Sequence, residues 1–198
     1  MISYYEGVFD VIVDSVESID EKIYDELVDQ CEDTIRKGHK IIASGLGKNV
    51  PICEKFVGTL NSLGIDARFL HTNTAVHGDL GMVGRDDLVI LLSKGGNTVE
   101  TVSLAEYLKE RETNTWLFAF ANDCKSAEVV SQRLILRLKD EGDEWNIVPN
   151  NSTTVNLIVL QGIAIELGRR LGVTLDDFKV NHPGGGIGAR LRGEQIWK

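Results

Sequence analysis

The sequence predicts an α/β fold, a single three-layer α/β/α sandwich around a five-stranded parallel sheet. Three observations lead to this prediction. Short apolar runs alternate with helical patterns along the chain, as in a doubly wound sheet. The run Leu88–Leu92 contains no polar residue, which is typical of a strand buried on both faces. The chain has 198 residues, enough for one substantial core and too few for two comfortable domains.

The elements follow in order. Apolar residues spaced by threes and fours over about residues 11–37 predict one N-terminal helix, which lies either across the sheet or against another subunit. The sheet core spans about residues 40–171. The predicted strands are 40–44, 65–70, 88–92, 115–121 and 133–139, and the last of them is charged enough for a sheet edge. The predicted helices between and after the strands are 51–63, 99–110, 126–131, 150–171 and 176–180.

The C-terminal segment, about residues 176–198, has two possible states. Ile187, Leu191 and Ile196 are apolar and predict that it docks on the body of the protein. The alternative is a flexible tail, because the stretch around Pro183 is rich in glycine.

Composition excludes several classes of protein. The net charge of −9 argues against nucleic acid and anionic membranes as partners, although it does not exclude a small anionic ligand. The apolar runs are far shorter than a membrane span, and no signal peptide is visible. Cys31, Cys53 and Cys124 are odd in number and lack metal-ligand spacing, which suits reduced thiols in the cytoplasm.

The loop after the third strand is the first candidate site. Ser93, Lys94, Gly95 and Thr98 lie in a run of small, polar or cationic residues between a buried strand and a helix start. Free N–H groups and the helix dipole favour an anion such as phosphate there. An ordinary strand–helix turn has the same residue preferences and remains the alternative.

The loops after the first two strands hold further candidates. Gly47 and Lys48 follow the first strand, but neither nucleotide-binding signature is complete there. Lys48 is either a solvated lysine or a ligand group at the carboxyl edge of the sheet. His71, His77 and Asp79 give only a weak indication of metal, and a polar loop is the default interpretation.

Polar residues flank the long helix near the C-terminus. An acidic run that includes Glu141 precedes it, and such a run is usually a solvated loop. Ser152 and Thr153 stand at its start, where they cap the helix and present donors to an anion. His182 lies between Asn and Pro-Gly-Gly, outside any amphipathic core face.

Five motifs together resemble the sugar isomerase (SIS) domain family, and most closely its arabinose-5-phosphate isomerases. The resemblance covers nearly the whole chain from about Lys40 to Leu191. The motifs, in their order along the chain, are Gly45-Leu-Gly-Lys48, His77-Gly-Asp-Leu-Gly-Met82, Leu92-Ser-Lys-Gly-Gly-Asn-Thr-Val-Glu100, Asn151-Ser-Thr-Thr154 and His182-Pro-Gly-Gly-Gly-Ile-Gly188.

This resemblance implies a fold, an activity and a set of residues. It implies a tetramer with sites shared between subunits, and an enzyme that interconverts D-ribulose 5-phosphate and D-arabinose 5-phosphate through an enediol without a cofactor or a required metal. It further implies a cytoplasmic role in carbohydrate metabolism that supplies lipopolysaccharide or capsule precursors (Kdo). By resemblance the catalytic residues are Lys48, Glu100, Glu141 and His182. The implied substrate-binding and phosphate-binding residues are Gly47, His77, Ser93, Lys94, Gly95, Thr98, Ser152 and Thr153.

The sequence departs from the family pattern in several places. Asn49 and Val50 follow the lysine where the family usually has Ser and Gly, and Lys94 and Gly95 replace Asn and Ser of the phosphate loop. The chain stops at Lys198 without the CBS domains that family members commonly carry, so it resembles the form with the SIS domain alone.

Three other functions stay open. One is a different isomerase on the same domain, such as a hexulose-6-phosphate isomerase, against which the His77 and His182 motifs argue. Another is a non-catalytic sugar-phosphate sensor, which would not need both Glu141 and His182. The third is a purely structural oligomer, which would not need polar residues at the strand ends. Fold analogy alone does not choose among them.

Overall fold

The computed structural model describes residues 2–194, and it is an α/β structure with one parallel sheet. The strands are β1 (Ile41–Gly45), β2 (Ala67–His71), β3 (Leu88–Leu92), β4 (Asn114–Ala119) and β5 (Gln132–Ile135). The helices are α1 (Ile2–Glu17), α2 (Glu21–Arg36), α3 (Asn49–Ser62), α4 (Thr72–Ala75), α5 (Val99–Glu110), α6 (Lys125–Val129), α7 (Asn151–Leu171), α8 (Leu175–Val180) and α9 (Gly185–Leu191), with a short 3-10 helix at Asp79–Met82.

The five strands are all parallel and run in the order β2-β1-β3-β4-β5. β3 lies in the middle, where Leu88 is in register with Ile41 of β1 on one side and with Asn114 of β4 on the other. The predicted fold class and strand number are therefore confirmed. The fifth strand lies at an edge, as the sequence predicts, but β5 ends at Ile135, so the predicted extension to Lys139 is wrong.

Two apolar clusters give the sandwich its three layers. Successive residues of β3 point to opposite faces of the sheet, so Ile90 and Val89 belong to different clusters. On one face the strands pack against α2, α3 and α7, and on the other they pack mainly against α5. β3 is buried along its whole length, which explains why its sequence is continuously apolar.

The prediction of a single N-terminal helix over residues 11–37 is wrong. Helix α1 already begins at Ile2, and the chain breaks after Glu17 before α2 starts. Asp20 caps the second helix, because its carboxylate accepts hydrogen bonds from the backbone N–H groups of Lys22 and Ile23. The apolar spacing continues through the break, so periodicity alone does not detect it.

The C-terminal segment docks on its own chain only in part. Asn181 donates a hydrogen bond from Nδ2 to the backbone oxygen of Ser62, at 3.4 Å, which holds the end of α8 against the end of α3. Helix α9 follows, but the side chain of Ile187 is 54% exposed, so the expected docking through this residue does not occur within one chain. Leu191 is half-buried, and Ile196 lies outside the described residues.

No helix among residues 2–194 is long and apolar enough to cross a membrane. The three cysteines are all buried and carry free thiols. Burial raises the pKa of Cys31 and of Cys53 to about 12, so both remain protonated, unreactive side chains of the core.

Candidate functional site

The site is built at the carboxyl edge of the sheet. Since the strands are parallel, the loops that follow β1 and β3 leave the sheet at the same edge. A polar contact ties them together, because Asn49 Nδ2 lies 3.4 Å from the backbone oxygen of Leu92. Asn156 Nδ2 donates to Asn49 Oδ1 at 3.2 Å, which brings α7 to the same place. Three segments that are distant in sequence therefore meet at the end of β3.

The loop between β3 and α5, residues 93–98, is folded around Gly96. Ser93 is buried, and its Oγ accepts a hydrogen bond from the Gly96 amide at 3.2 Å. Gly96 has a φ of +64°, and a Cβ at this position would lie 2.2 Å from the Sγ of Cys124. Only glycine satisfies both conditions. The loop is thus a tightly held turn at the start of a helix.

The Thr98 hydroxyl and the first turn of α5 are available to a ligand. Thr98 is the N-cap residue of α5, yet its hydroxyl makes no capping hydrogen bond. Gly95 is exposed, and a Cβ added there would meet nothing within 4 Å. Glu100 is exposed in the first turn of α5. The loop has the geometry that binds phosphate at helix starts, with a hydroxyl and free amides at the edge of the sheet.

Glu141 is the most unusual residue at this edge, because its carboxylate is completely buried. Its Oε2 accepts hydrogen bonds from the backbone amides of Asn150, at 3.1 Å, and Ser152, at 2.9 Å. Its Oε1 accepts one from Ser152 Oγ at 2.7 Å and pairs with Lys94 Nζ at 2.6 Å. The carboxylate therefore joins the start of α7 to the glycine-rich loop of residues 93–98.

Glu141 remains ionised despite its burial. Burial disfavours the charged form, but the hydrogen bonds from Lys94, from Ser152 and from the Asn150 amide outweigh it and lower the pKa of the carboxyl below its ordinary value. The positive end of the α7 dipole acts in the same direction. The predicted anion-binding helix start exists, and in this structure its anion is the protein's own carboxylate.

The acidic loop is ordered around Glu141 and is not a loosely solvated run. The Glu141 amide donates to Asn146 Oδ1 at 2.8 Å, and Asn150 Nδ2 donates to the Glu141 backbone oxygen at 3.1 Å. Asn151 Nδ2 donates to the backbone oxygen of Asp140 at 3.2 Å. The expectation of a solvated loop is therefore wrong at Glu141, because helix-capping amides take the place of water.

The two hydroxyls predicted to bind substrate at the start of α7 already have partners. Ser152 Oγ is buried against Glu141, and Thr153 Oγ1 donates to the backbone oxygen of Asn150 at 3.0 Å. In this state, Ser152 positions the carboxylate and Thr153 stabilises the first turn of the helix.

Three other candidate residues lie on exposed loops at the same edge. Lys48 and Gly47 follow β1, and Gly47 adopts a φ of +60° in the tight turn. His77 follows β2 in the turn after α4 and is exposed. Within residues 2–194, no group of three or more His, Cys, Asp or Glu side chains is placed to hold a metal ion.

His182 is the one catalytic candidate that the fold separates from the others. Its ring stacks on Phe178 with centroids 3.9 Å apart, and it lies just beyond α8. Asn181 contacts Ser62, the last residue of α3, so this segment lies at the opposite edge of the sheet. Helix α7, with 21 residues, spans about 30 Å between Glu141 and this region.

The sequence alone does not reveal the pairing of Lys94 with Glu141. It predicts that Lys94 meets phosphate and that Glu141 acts as a free base. The available signal is an acidic residue shortly before a polar helix start, which is where carboxylates cap helices. Asn150 and Asn151, which hold the acidic loop in place, are recognised from the sequence only as possible caps.

Known proteins share the sequence pattern and the fold of this chain. The family model of the SIS domain matches residues 34–166. The arabinose 5-phosphate isomerase KdsD of Pseudomonas aeruginosa is 33% identical over 178 residues, which cover 90% of this chain and 55% of the relative. The arabinose 5-phosphate isomerase KdsD of Escherichia coli K12 is 30% identical over 173 residues, covering 87% and 53%. This chain thus spans about half the length of these curated relatives.

A solved structure, the E. coli CFT073 protein c3406 in complex with arabinose 5-phosphate, superposes with a TM-score of 0.84 at 28% identity. The match covers 91% of this chain and 94% of that one. The shared architecture therefore extends over most of the chain.

Proposed function

The chain belongs to the SIS domain family, and we propose that it is an aldose–ketose isomerase that interconverts D-ribulose 5-phosphate and D-arabinose 5-phosphate. The observation that carries the proposal is a buried, ionised carboxylate, Glu141, held beside a glycine-rich loop at the ligand-binding edge of the sheet. Such an arrangement suits a substrate with a phosphate at one end and an acidic C–H bond at the other. The similarity to KdsD proteins and to a protein solved with arabinose 5-phosphate supports a phosphosugar substrate.

The chemistry assigns one role to each group. Glu141 takes the proton from C1 of the ketose to form an enediol and returns a proton to C2, which gives the aldose. Lys48 stabilises the negative charge that develops on the enediolate oxygens. Glu100 orients Lys48 or a sugar hydroxyl. The loop of residues 93–98 and the hydroxyl of Thr98 hold the phosphate. No step requires a redox cofactor.

His182 opens the ring of the cyclic aldose by moving a proton between the ring oxygen and C1–OH. Within one chain it lies at the opposite edge of the sheet from Glu141, so the proposal includes a site shared between two copies of the chain. A homotetramer is the assembly that the family resemblance implies. Trans-complementation tests the sharing: co-expressed Glu141→Gln and His182→Asn chains should regain activity that neither variant has alone. Absence of any gain in verified mixed oligomers would mean that each site is built from one chain.

The direct test of the activity uses the purified protein and D-ribulose 5-phosphate. The expected product is D-arabinose 5-phosphate, identified by NMR, and the reverse reaction should reach the same equilibrium mixture. Hexulose 6-phosphate is the competing substrate. Faster turnover of hexulose 6-phosphate would assign a different isomerase activity, and tight binding of both sugars without turnover would assign a sensor.

A further inference from the structure

The carboxylate of Glu141 has no acceptor position left for a substrate proton. Its two oxygens together offer about four lone-pair positions, and four donors fill them. A group in this state cannot act as a base toward carbon until one donor leaves. The proposed reaction therefore requires a change at this carboxylate before chemistry begins.

Only one of the four donors is placed to leave. The amides of Asn150 and Ser152 are fixed in the start of α7, and the Ser152 side chain is buried. The Lys94 side chain is 44% exposed and sits on a flexible four-carbon stem. It also belongs to the glycine-rich loop, where the phosphate is proposed to bind.

We propose that Lys94 is a positioning residue that exchanges partners, pairing with Glu141 in the free protein and with the phosphate group of a bound sugar phosphate. Phosphate binding then vacates one position on Glu141 Oε1, and the carboxylate becomes able to accept a proton from carbon. This inference rests on the proposed function. It adds that binding of the substrate's phosphate group makes Glu141 available as a base for the carbon at the other end of the sugar.

The electrostatics favour this exchange. A phosphate monoester carries a charge of about −1.5 to −2 near neutral pH, more than a carboxylate, so it competes well for an ammonium group in the same loop. Loss of Lys94 also makes Glu141 a stronger base, because a hydrogen bond that favours its ionised form disappears. Other titratable groups near Glu141 are Asp140 and Asp143, in the same loop, and Tyr4 of α1, whose hydroxyl accepts a hydrogen bond from Asn150. Among residues 2–194, none of these three forms a hydrogen bond or an ion pair with residues 93–98.

The exchange has a consequence for substrate choice. A sugar without phosphate leaves Lys94 on Glu141 and should react slowly even when bound. Inorganic phosphate supplied separately should then accelerate its reaction. A lysine that merely holds phosphate would change the KM of sugar phosphates and would leave the reactivity of Glu141 untouched.

The test follows the pKa of Glu141 by NMR of the protein labelled with ¹³C at glutamate carboxyl carbons, with Glu141→Gln to assign the signal. The anion for this titration is inorganic sulfate, because it stays a dianion in the acidic range where Glu141 titrates, whereas inorganic phosphate becomes a monoanion there. In wild type, saturating sulfate should raise this pKa. In Lys94→Met the pKa should already be raised without sulfate, and sulfate should change it little. Lys94→Arg should restore the wild-type response. Lys125→Met, which removes the same charge beside the loop, should behave as wild type.

Two results would overturn the inference. One is that sulfate binds wild type, as judged by amide signals of the loop, without raising the pKa of Glu141. The other is that Lys94→Met without sulfate has the same Glu141 pKa as wild type. The second result does not depend on whether the variant still binds the anion, so the inference remains falsifiable if the variant loses that binding.

A kinetic measurement complements the titration. With D-ribulose as substrate, phosphate should accelerate wild type roughly tenfold or more, the factor expected from breaking one charge-assisted hydrogen bond. Lys94→Met should be faster than wild type without phosphate and insensitive to it. Because the NMR readout needs no turnover, the two proposals can fail separately. A protein inactive toward D-ribulose 5-phosphate whose Glu141 pKa still responds to the bound anion would refute the isomerase. An active protein whose Glu141 pKa does not respond would refute the exchange.

Discussion

Replacing Glu141 by Gln should destabilise the protein as well as inactivate it. Glu141 is the proposed base, and its carboxylate also caps the start of α7 and is fully buried. Glutamine has the same shape, so the substitution opens no cavity and changes only charge and hydrogen bonding. The free energy of unfolding should therefore report how much the carboxylate stabilises the helix start.

The magnitude follows from the four contacts. The glutamine oxygen still accepts from the amides of Asn150 and Ser152, but without the charge that strengthens both bonds. Its amide nitrogen then faces Lys94, which is a donor, and Ser152 Oγ, whose hydrogen can rotate away. Lys94 is partly exposed and becomes hydrated when Glu141 is replaced, so its ion pair contributes little to the loss of stability. The expected loss is about 1.5–3 kcal/mol, the range for hydrogen bonds to a charged group.

Urea denaturation followed by circular dichroism, at a fixed protein concentration, measures this loss. Glu144→Gln is the matched control, because it removes an exposed carboxylate from the same loop and should change stability by less than about 0.5 kcal/mol. The slope of the unfolding free energy against urea should be the same for all three proteins.

The pH dependence provides a second check. The folded protein lowers the pKa of Glu141 below the ordinary 4.5, so its stabilisation is fully present above about pH 4.5. That stabilisation is lost as the pH falls through the folded pKa, and the gap between wild type and Glu141→Gln should narrow there. A Glu141→Gln protein that is no less stable than Glu144→Gln at neutral pH would refute the capping role, as would a gap that widens in acid.

Three further predictions concern the phosphate loop and the chemistry. Thr98→Ala should raise the KM for sugar phosphates and weaken competitive inhibition by inorganic phosphate, and unchanged values of both would exclude this loop as the phosphate site. Gly96→Ala should lower the free energy of unfolding by more than about 2 kcal/mol, because it combines a positive φ with a clash against Cys124. Gly95→Ala should leave the stability nearly unchanged, and thermal melts that show the two variants equally stable would contradict the loop geometry. Isomerase activity should survive exhaustive chelation, and activity that returns only on addition of a divalent ion would show that a metal takes part.

The sequence predicts the sheet because its signals there are local. The run of five apolar residues in β3 matches the strand residue for residue, and the small polar residues after it mark the loop. The N-terminal break escapes prediction because Ile19 and Ile23 continue the apolar spacing across it, and only the capping role of Asp20 distinguishes two helices from one.

The sequence names candidate site residues, but it does not show which of their side chains meet. Nothing in the spacing of Lys94 and Glu141, 47 positions apart, indicates that their side chains meet. Their contact depends on the α7 start being carried to the end of β3, which is a tertiary effect. His182 shows the converse, since a motif predicted to complete the site lies about one helix length away within the same chain.

Deuterium exchange tests the central claim most directly. Wild type acting on D-ribulose 5-phosphate in D₂O should form D-arabinose 5-phosphate that carries deuterium at C2, because the base exchanges its proton with solvent before returning it. Glu141→Gln should lose both isomerisation and exchange, by about 10²–10⁴-fold. A folded Glu141→Gln protein that still exchanges at the wild-type rate would contradict the account, and the base would then have to be sought elsewhere, with Glu100 as the next residue to test.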